Sequence, residues 1–189
     1  GPMWPKSHDA GPSMTGLVSA RGRIFYIADD GPPGIKHPRH KLERWALFAR
    51  DAFNGLLLWK KPIANWGGGA WSPDDYPFPF GPWTVNPRMI HRRRVAVGDR
   101  VYVTLGFGAP VSVLDARAGT VLDTLDDTRF ASEILIDEGR LHAVVDRAAQ
   151  EAGGYTNEPR KSVLTVALDT GETIWERSGL VGIEDRRRR

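Results

Sequence analysis

Three clusters carry side chains able to do chemistry. His37 and His40 stand three residues apart in His-Pro-Arg-His. Two imidazoles at that spacing are half of a zinc-type site, although in an irregular loop they are more often solvated. His8-Asp9 and Asp74-Asp75 supply further donors that a shared loop face would have to bring together. His91-Arg92-Arg93-Arg94 gathers cationic charge for an anion contact, or forms the solvated start of a strand. His142 alternates with Leu141 and Ala143 and reads as an ordinary strand residue.

The third cluster is aromatic. Between Ala64 and His91 lie Trp66, Trp71, Tyr76, Phe78, Phe80 and Trp83, interleaved with Gly67-Gly68-Gly69 and with prolines from Pro73 to Pro87. Aromatic rings held by glycine and proline make a rigid contact surface at low entropic cost, fit to stack on a sugar or base or to pack a peptide. The plainer alternative is that these rings fold down as a small core. The candidate binding face is thus Trp66, Trp71, Tyr76, Phe78, Phe80, Trp83, His37, His40, Arg92 and Arg93.

Composition narrows the chemistry. The chain has no cysteine, which removes disulfides and thiolate metal sites. The net charge of +3 falls to −1 without the terminal run Arg186–Arg189, so the body lacks the basic stripe that a nucleic-acid backbone demands. No apolar stretch is long enough for a membrane helix. With 21 Gly and 14 Pro among 189 residues, the sequence favours turn-rich β-structure over helix. Gly1-Pro2 reads as a protease scar or the start of an excised fragment.

The elements that position these clusters come from a repeat. Trp45–Trp59 (WALFARDAFNGLLLW) is an apolar run, a turn closing on Asn54-Gly55 and a second apolar run, which is a hairpin pattern. It returns as Val111–Asp123 and as Val163–Trp175. A preceding hairpin recurs as well, aligned on Arg23, Arg100 and Arg140. Each unit therefore has four strands, expected near 17–20, 23–28, 45–50, 56–61, 94–97, 100–105, 111–115, 120–124, 133–137, 140–145, 162–168 and 172–176. The chain divides into an irregular arm (1–16), units over 17–63, 92–125 and 133–178, the aromatic loop (64–91) and a basic tail (179–189).

Joints within each hairpin are minimal, while Asp29–Arg44, Asp146–Ser162 and Ala64–His91 are long. In an up-and-down sheet those long joints all leave from one edge, so one face carries every long loop.

The phrase Asp-x-x-x-Gly-x-x-x-Trp resembles the PQQ-type β-propeller repeat of quinoprotein dehydrogenases and BamB-like proteins. Asp51, Gly55 and Trp59 match it in unit one. Asp115 and Gly119 match in unit two, where Asp123 replaces the Trp. Asp169, Gly171 and Trp175 match in unit three, with a turn that reads two residues shorter. The resemblance implies an all-β partial propeller of three four-stranded antiparallel blades. In it the Asp braces its own turn, the Gly supplies positive φ, and Trp59 and Trp175 are buried against the next blade.

The quinoprotein enzymes, as the resemblance implies, use eight blades, a calcium-bound quinone and often a vicinal disulfide. This chain has three units, no cysteine and no Asp, Glu and Asn set that maps onto the calcium ligands. The expected function is a non-catalytic binding or scaffold segment acting through its long-loop face, with no cofactor, metal or nucleic acid. The alternative is part of a quinoprotein-like oxidoreductase whose other blades lie elsewhere. Three blades leave free flanks, so the expected partner is a second copy, or the remaining blades of a larger propeller. Trp175 in particular has no fourth blade in this chain to meet.

Overall fold

A computed structural model describes residues 14–31, 44–64, 66, 92–154 and 159–179. His37, His40, Trp71, Tyr76, Phe78, Phe80 and Trp83 lie outside them, as do His8, Asp74 and the C-terminal arginines. The chain forms three four-stranded antiparallel sheets, each in sequence order. Blade 1 is β1 (Met14–Ala20), β2 (Arg23–Asp29), β3 (Trp45–Asp51) and β4 (Leu57–Pro62). Blade 2 is β5 (Arg94–Val97), β6 (Arg100–Thr104), β7 (Val111–Asp115) and β8 (Val121–Leu125). Blade 3 is β9 (Ala131–Asp137), β10 (Arg140–Asp146), β11 (Lys161–Ala167) and β12 (Thr173–Ser178). All twelve expected strands form. The first begins at Met14, so the end of the presumed irregular arm is strand.

The core sits between sheets, so middle strands such as β3, β6 and β7 are buried on both faces, while the outer strands β4, β8 and β12 are largely exposed. Phe25, Ile27, Leu47 and Ala49 of blade 1 meet Val101, Val103, Leu114 and Ala116 of blade 2. On the other side of blade 2, Tyr102, Val111 and Val113 meet Leu141, Ala143, Leu164 and Val166 of blade 3. First strands neighbour one another, β1 beside β5 and β5 beside β9. Arg94 adds a tie at the first of these contacts, donating from its guanidinium to the Gly16 carbonyl.

The repeat is more regular than its letters suggest. In blades 1 and 2, the Asp51 and Asp115 carboxylates each accept two backbone N–H groups of their own turns, at 2.7–3.0 Å. Gly55 and Gly119 donate back to the carbonyls of Asp51 and Asp115. Those donors hold the Asp115 carboxyl below its usual range, the Ala118 N–H most and the Arg117 N–H next. In blade 3 the residue in this position is Ala167, since Gly171 donates to its carbonyl and the Ala167 N–H in turn donates to the Glu172 carbonyl. Asp169 is therefore not the repeat Asp, and the third turn is not shorter. Its backbone closes the same ring without a carboxylate. Each outer strand also carries the same bulge, one residue before Trp59, Asp123 and Trp175.

Candidate functional site

The long-loop face is built from loop bases. Asp29 ends β2, and its Oδ1 accepts the N–H groups of Gly31 and Arg44, both at 2.8 Å. Asp146 ends β10 in the equivalent position, and its Oδ1 accepts from Ala149 at 3.2 Å and Arg160 at 3.1 Å. One carboxylate thus ties described residues near the start and the end of each long insert. The blade 3 insert opens with a short helix, α1 (Arg147–Ala152), whose N-cap is Asp146.

An ion pair stands beside each base, with its polarity reversed. In blade 1 loop residue Asp30 pairs with Lys60 of β4 at 2.7 Å. In blade 3 the loop residue is Arg147 and its partner is Glu176 of β12, joined by two bonds of 2.8 and 2.7 Å. Asp30 and Arg147 occupy equivalent positions after the bracing Asp, as Lys60 and Glu176 do after the Trp. The paired hydrogen bonds from Arg147 hold the Glu176 carboxyl below its ordinary 4.5. A carboxyl with a depressed pKa stabilises the fold above its unfolded value and loses that contribution as pH falls through the folded one. Glu176→Gln is therefore expected to lower the melting temperature at neutral pH. It should also reduce the further loss of melting temperature from about pH 5 to about pH 2. Calorimetry across that range checks both.

Blade 2 carries no long insert, and its edge is closed by packing. Gly106 takes the place of the bracing Asp, and Phe107 meets Phe130 edge-on at 5.8 Å. Thr128 is fully buried, donating to the Leu125 carbonyl at 2.6 Å and accepting from the Val111 N–H at 2.7 Å.

The sequence-selected residues on this face divide. Trp66 is only 5 % exposed and belongs to the core between blades 1 and 2, beside Trp45 and Ile63; of its two readings, packing is the one observed. Arg92 is exposed and pairs with Glu133 at 3.1 Å, linking blade 2 to blade 3. Burial lowers the pKa of both Arg93 and Arg94 to about 10, which still leaves each cationic at neutral pH. Arg94 is 2 % exposed. Of the described part of the cluster, Arg93 and Arg94 are therefore no solvated start of a strand, and Arg92 is the one exposed at the surface. His142 behaves as the strand residue expected, with Nδ1 2.8 Å from the Thr165 hydroxyl. Among the described residues no group of three His, Asp or Glu is placed to hold a metal, and no helix is long and apolar enough to cross a membrane.

The opposite face is tied down by short turns. Asp99 lies within 3.6–3.9 Å of the guanidinium groups of Arg21, Arg23 and Arg117, fastening the hairpins of blades 1 and 2.

The tryptophan position links successive blades. Trp59 donates its indole N–H to the Ala116 carbonyl at 3.1 Å and lies over Gly119, where a Cβ would come within 2.8 Å of its ring. Asp123 occupies the same place over Gly171, with Oδ2 3.8 Å from where a Cβ would be. Trp175 stands in this position on blade 3 and is 46 % exposed. The expected burial of Trp175 does not occur, because no turn among the described residues receives it.

Three sheets in series, face to face and with first strands adjacent, define a β-propeller-type chain. Neither a family model nor a curated protein matches it. Among solved structures it is similar to the acylaminoacyl peptidase of Pyrococcus horikoshii, with TM-score 0.52 and 9 % identity over 88 % of this chain and 25 % of that one. It also matches the quinohemoprotein alcohol dehydrogenase ADHIIG of Pseudomonas putida HK5, with TM-score 0.48, 16 % identity and 88 % and 20 % coverage. A third match is the β-propeller domain of the Trilobed protease of Pyrococcus furiosus, with TM-score 0.46, 8 % identity and 88 % and 42 % coverage. The chain spans less than half the length of each. At these identities the likeness is one of fold.

Proposed function

We propose that this chain is a non-catalytic propeller segment that binds a ligand or partner through its long-loop face. The observation supporting this most directly is the duplicated loop base: Asp29 and Asp146, at equivalent positions, root two long inserts on the same edge of the blades. Rigid sheets with variable loops rooted on one edge are the usual arrangement for recognition. The aromatic segment 64–91 leaves from that edge too, joining β4 to β5.

The test replaces 67–80 with a short Gly-Ser linker and compares both proteins on immobilised glycan and peptide arrays. The expected result is an unchanged circular dichroism spectrum together with loss of whatever the full chain retains. Retention by the deleted protein, with loss in an Arg100→Glu variant on the short-turn face, overturns the reading.

The second reading, a fragment of a quinoprotein-like oxidoreductase, is favoured by the Asp51, Gly55 and Trp59 phrase. Titration with calcium and PQQ separates the two. A saturable bound-quinone absorbance supports the oxidoreductase, and its absence across a millimolar range supports the binding module.

A further inference from the structure

Both internal joints are made the same way. A residue of the outer strand of one blade, Trp59 or Asp123, lies over the turn glycine of the next, Gly119 or Gly171. Among the described residues two halves of this contact are left over, one at each end of the series. Trp175 of blade 3 is a half-exposed tryptophan that no described turn receives. Gly55 of blade 1 is the turn glycine with no ring above it, since a Cβ there would meet nothing within 4 Å. Its surroundings are apolar and open: Phe53 is 91 % exposed and Leu56 65 %. An indole and the glycine platform that fits it thus sit on opposite ends of one chain.

We infer that blade 3 of one copy docks on blade 1 of a second copy, with Trp175 over the partner's turn at Gly55, and that a two-fold axis closes six blades into a ring. The contact copied is Trp59 on Gly119, whose hydrogen-bond acceptor, the Ala116 carbonyl, has its equivalent in Ala52. Two copies supply both halves twice, and the two-fold is the commonest symmetry of homo-oligomers.

The sheet centres of the outer faces of blades 1 and 3 fit an association between separately folded chains. Where the internal joints place Phe25 and Leu114, the ends carry His142 and Arg50. His142 is satisfied by Thr165 and Arg50 by the Tyr26 hydroxyl at 2.7 Å. These groups, with Phe48 already covered and stacked on Tyr26, keep the face tolerable in water before association, as in interfaces between partners that also exist apart.

The experiment weighs the full chain in solution, by light scattering and sedimentation at micromolar concentration. The expected mass is twice that of one chain. Trp175→Ala removes the ring, and Gly55→Asn fills its seat with a residue that tolerates the left-handed φ of +74° at that position. Each is expected to weaken self-association ~30-fold or more, the loss typical of an interface tryptophan, while leaving the β circular dichroism unchanged. Because Trp175 is half-exposed, and a side chain at Gly55 meets no neighbour and leaves the backbone bonds of its turn in place, either variant is readable if the other misfolds. A wild-type monomer whose Trp175 is quenched by iodide points to a blade from another polypeptide and overturns the proposal. A ring of three or more copies overturns it as well, and so does a dimer that both variants leave intact.

Discussion

Replacing Trp59 with alanine is expected to destabilise the protein by about 2–4 kcal/mol, whereas Trp175→Ala should cost the isolated chain less than about 1 kcal/mol. The two tryptophans fill the same repeat position, so the difference isolates the blade that follows. Trp59 packs on the core between blades 1 and 2 and leans on Phe25 at 5.9 Å. Its N–H reaches across to blade 2. Removing it deletes buried ring surface and orphans the Ala116 carbonyl, and each loss contributes. Partial exposure keeps the figure below that of a fully enclosed tryptophan. Urea titration of both variants, at a concentration low enough to hold the chain monomeric, measures the difference. Equal losses would mean that the ring of Trp59 serves only its own blade.

Which features were legible in the sequence follows from how local each one is. The hairpins were, because Asp51 and Asp115 fold onto N–H groups two and three residues ahead, and Gly55 and Gly119 hold a fixed distance from them. The third turn was misread for the same reason. Asp169 is a turn-forming residue near Gly171, yet the ring is closed by backbone from Ala167, and backbone bonds leave no mark in the sequence. The bracing pair Asp29 and Asp146 has a signal of its own in the sequence. Each lies six residues beyond the aligned Arg23 or Arg140, and Gly106 stands there only in the unit whose loop is short.

The site itself was less legible, since burial of a polar or amphipathic side chain is decided by distant chain. Trp66 and Arg94 sit among surface-like neighbours in sequence. One is enclosed by Trp45 and Ile63, and the other reaches a carbonyl 78 residues earlier. The reversed ion pairs Asp30–Lys60 and Arg147–Glu176 were equally hidden, because each spans a whole long insert.

Gly119→Ala is expected to be the more damaging of two substitutions that look identical in sequence. Gly55 and Gly119 both close an Asp turn at positive φ, +74° and +70°. Alanine at either position incurs the left-handed penalty of about 1–2 kcal/mol. At Gly55 nothing further is met. At Gly119 the new methyl would stand 2.8 Å from two atoms of the Trp59 ring. That ring has little room to withdraw, because its N–H is fixed to Ala116 and its face to the core. Overpacking of this kind adds about 1–3 kcal/mol, for a total of about 2–5 kcal/mol. Combining Gly119→Ala with Trp59→Ala should then recover part of the sum, since the second change removes the clash produced by the first. Denaturation of the two single variants and the double variant completes the cycle. Simple additivity would show that the methyl finds space without moving the indole, and that the close approach of the two blades is not what requires glycine here.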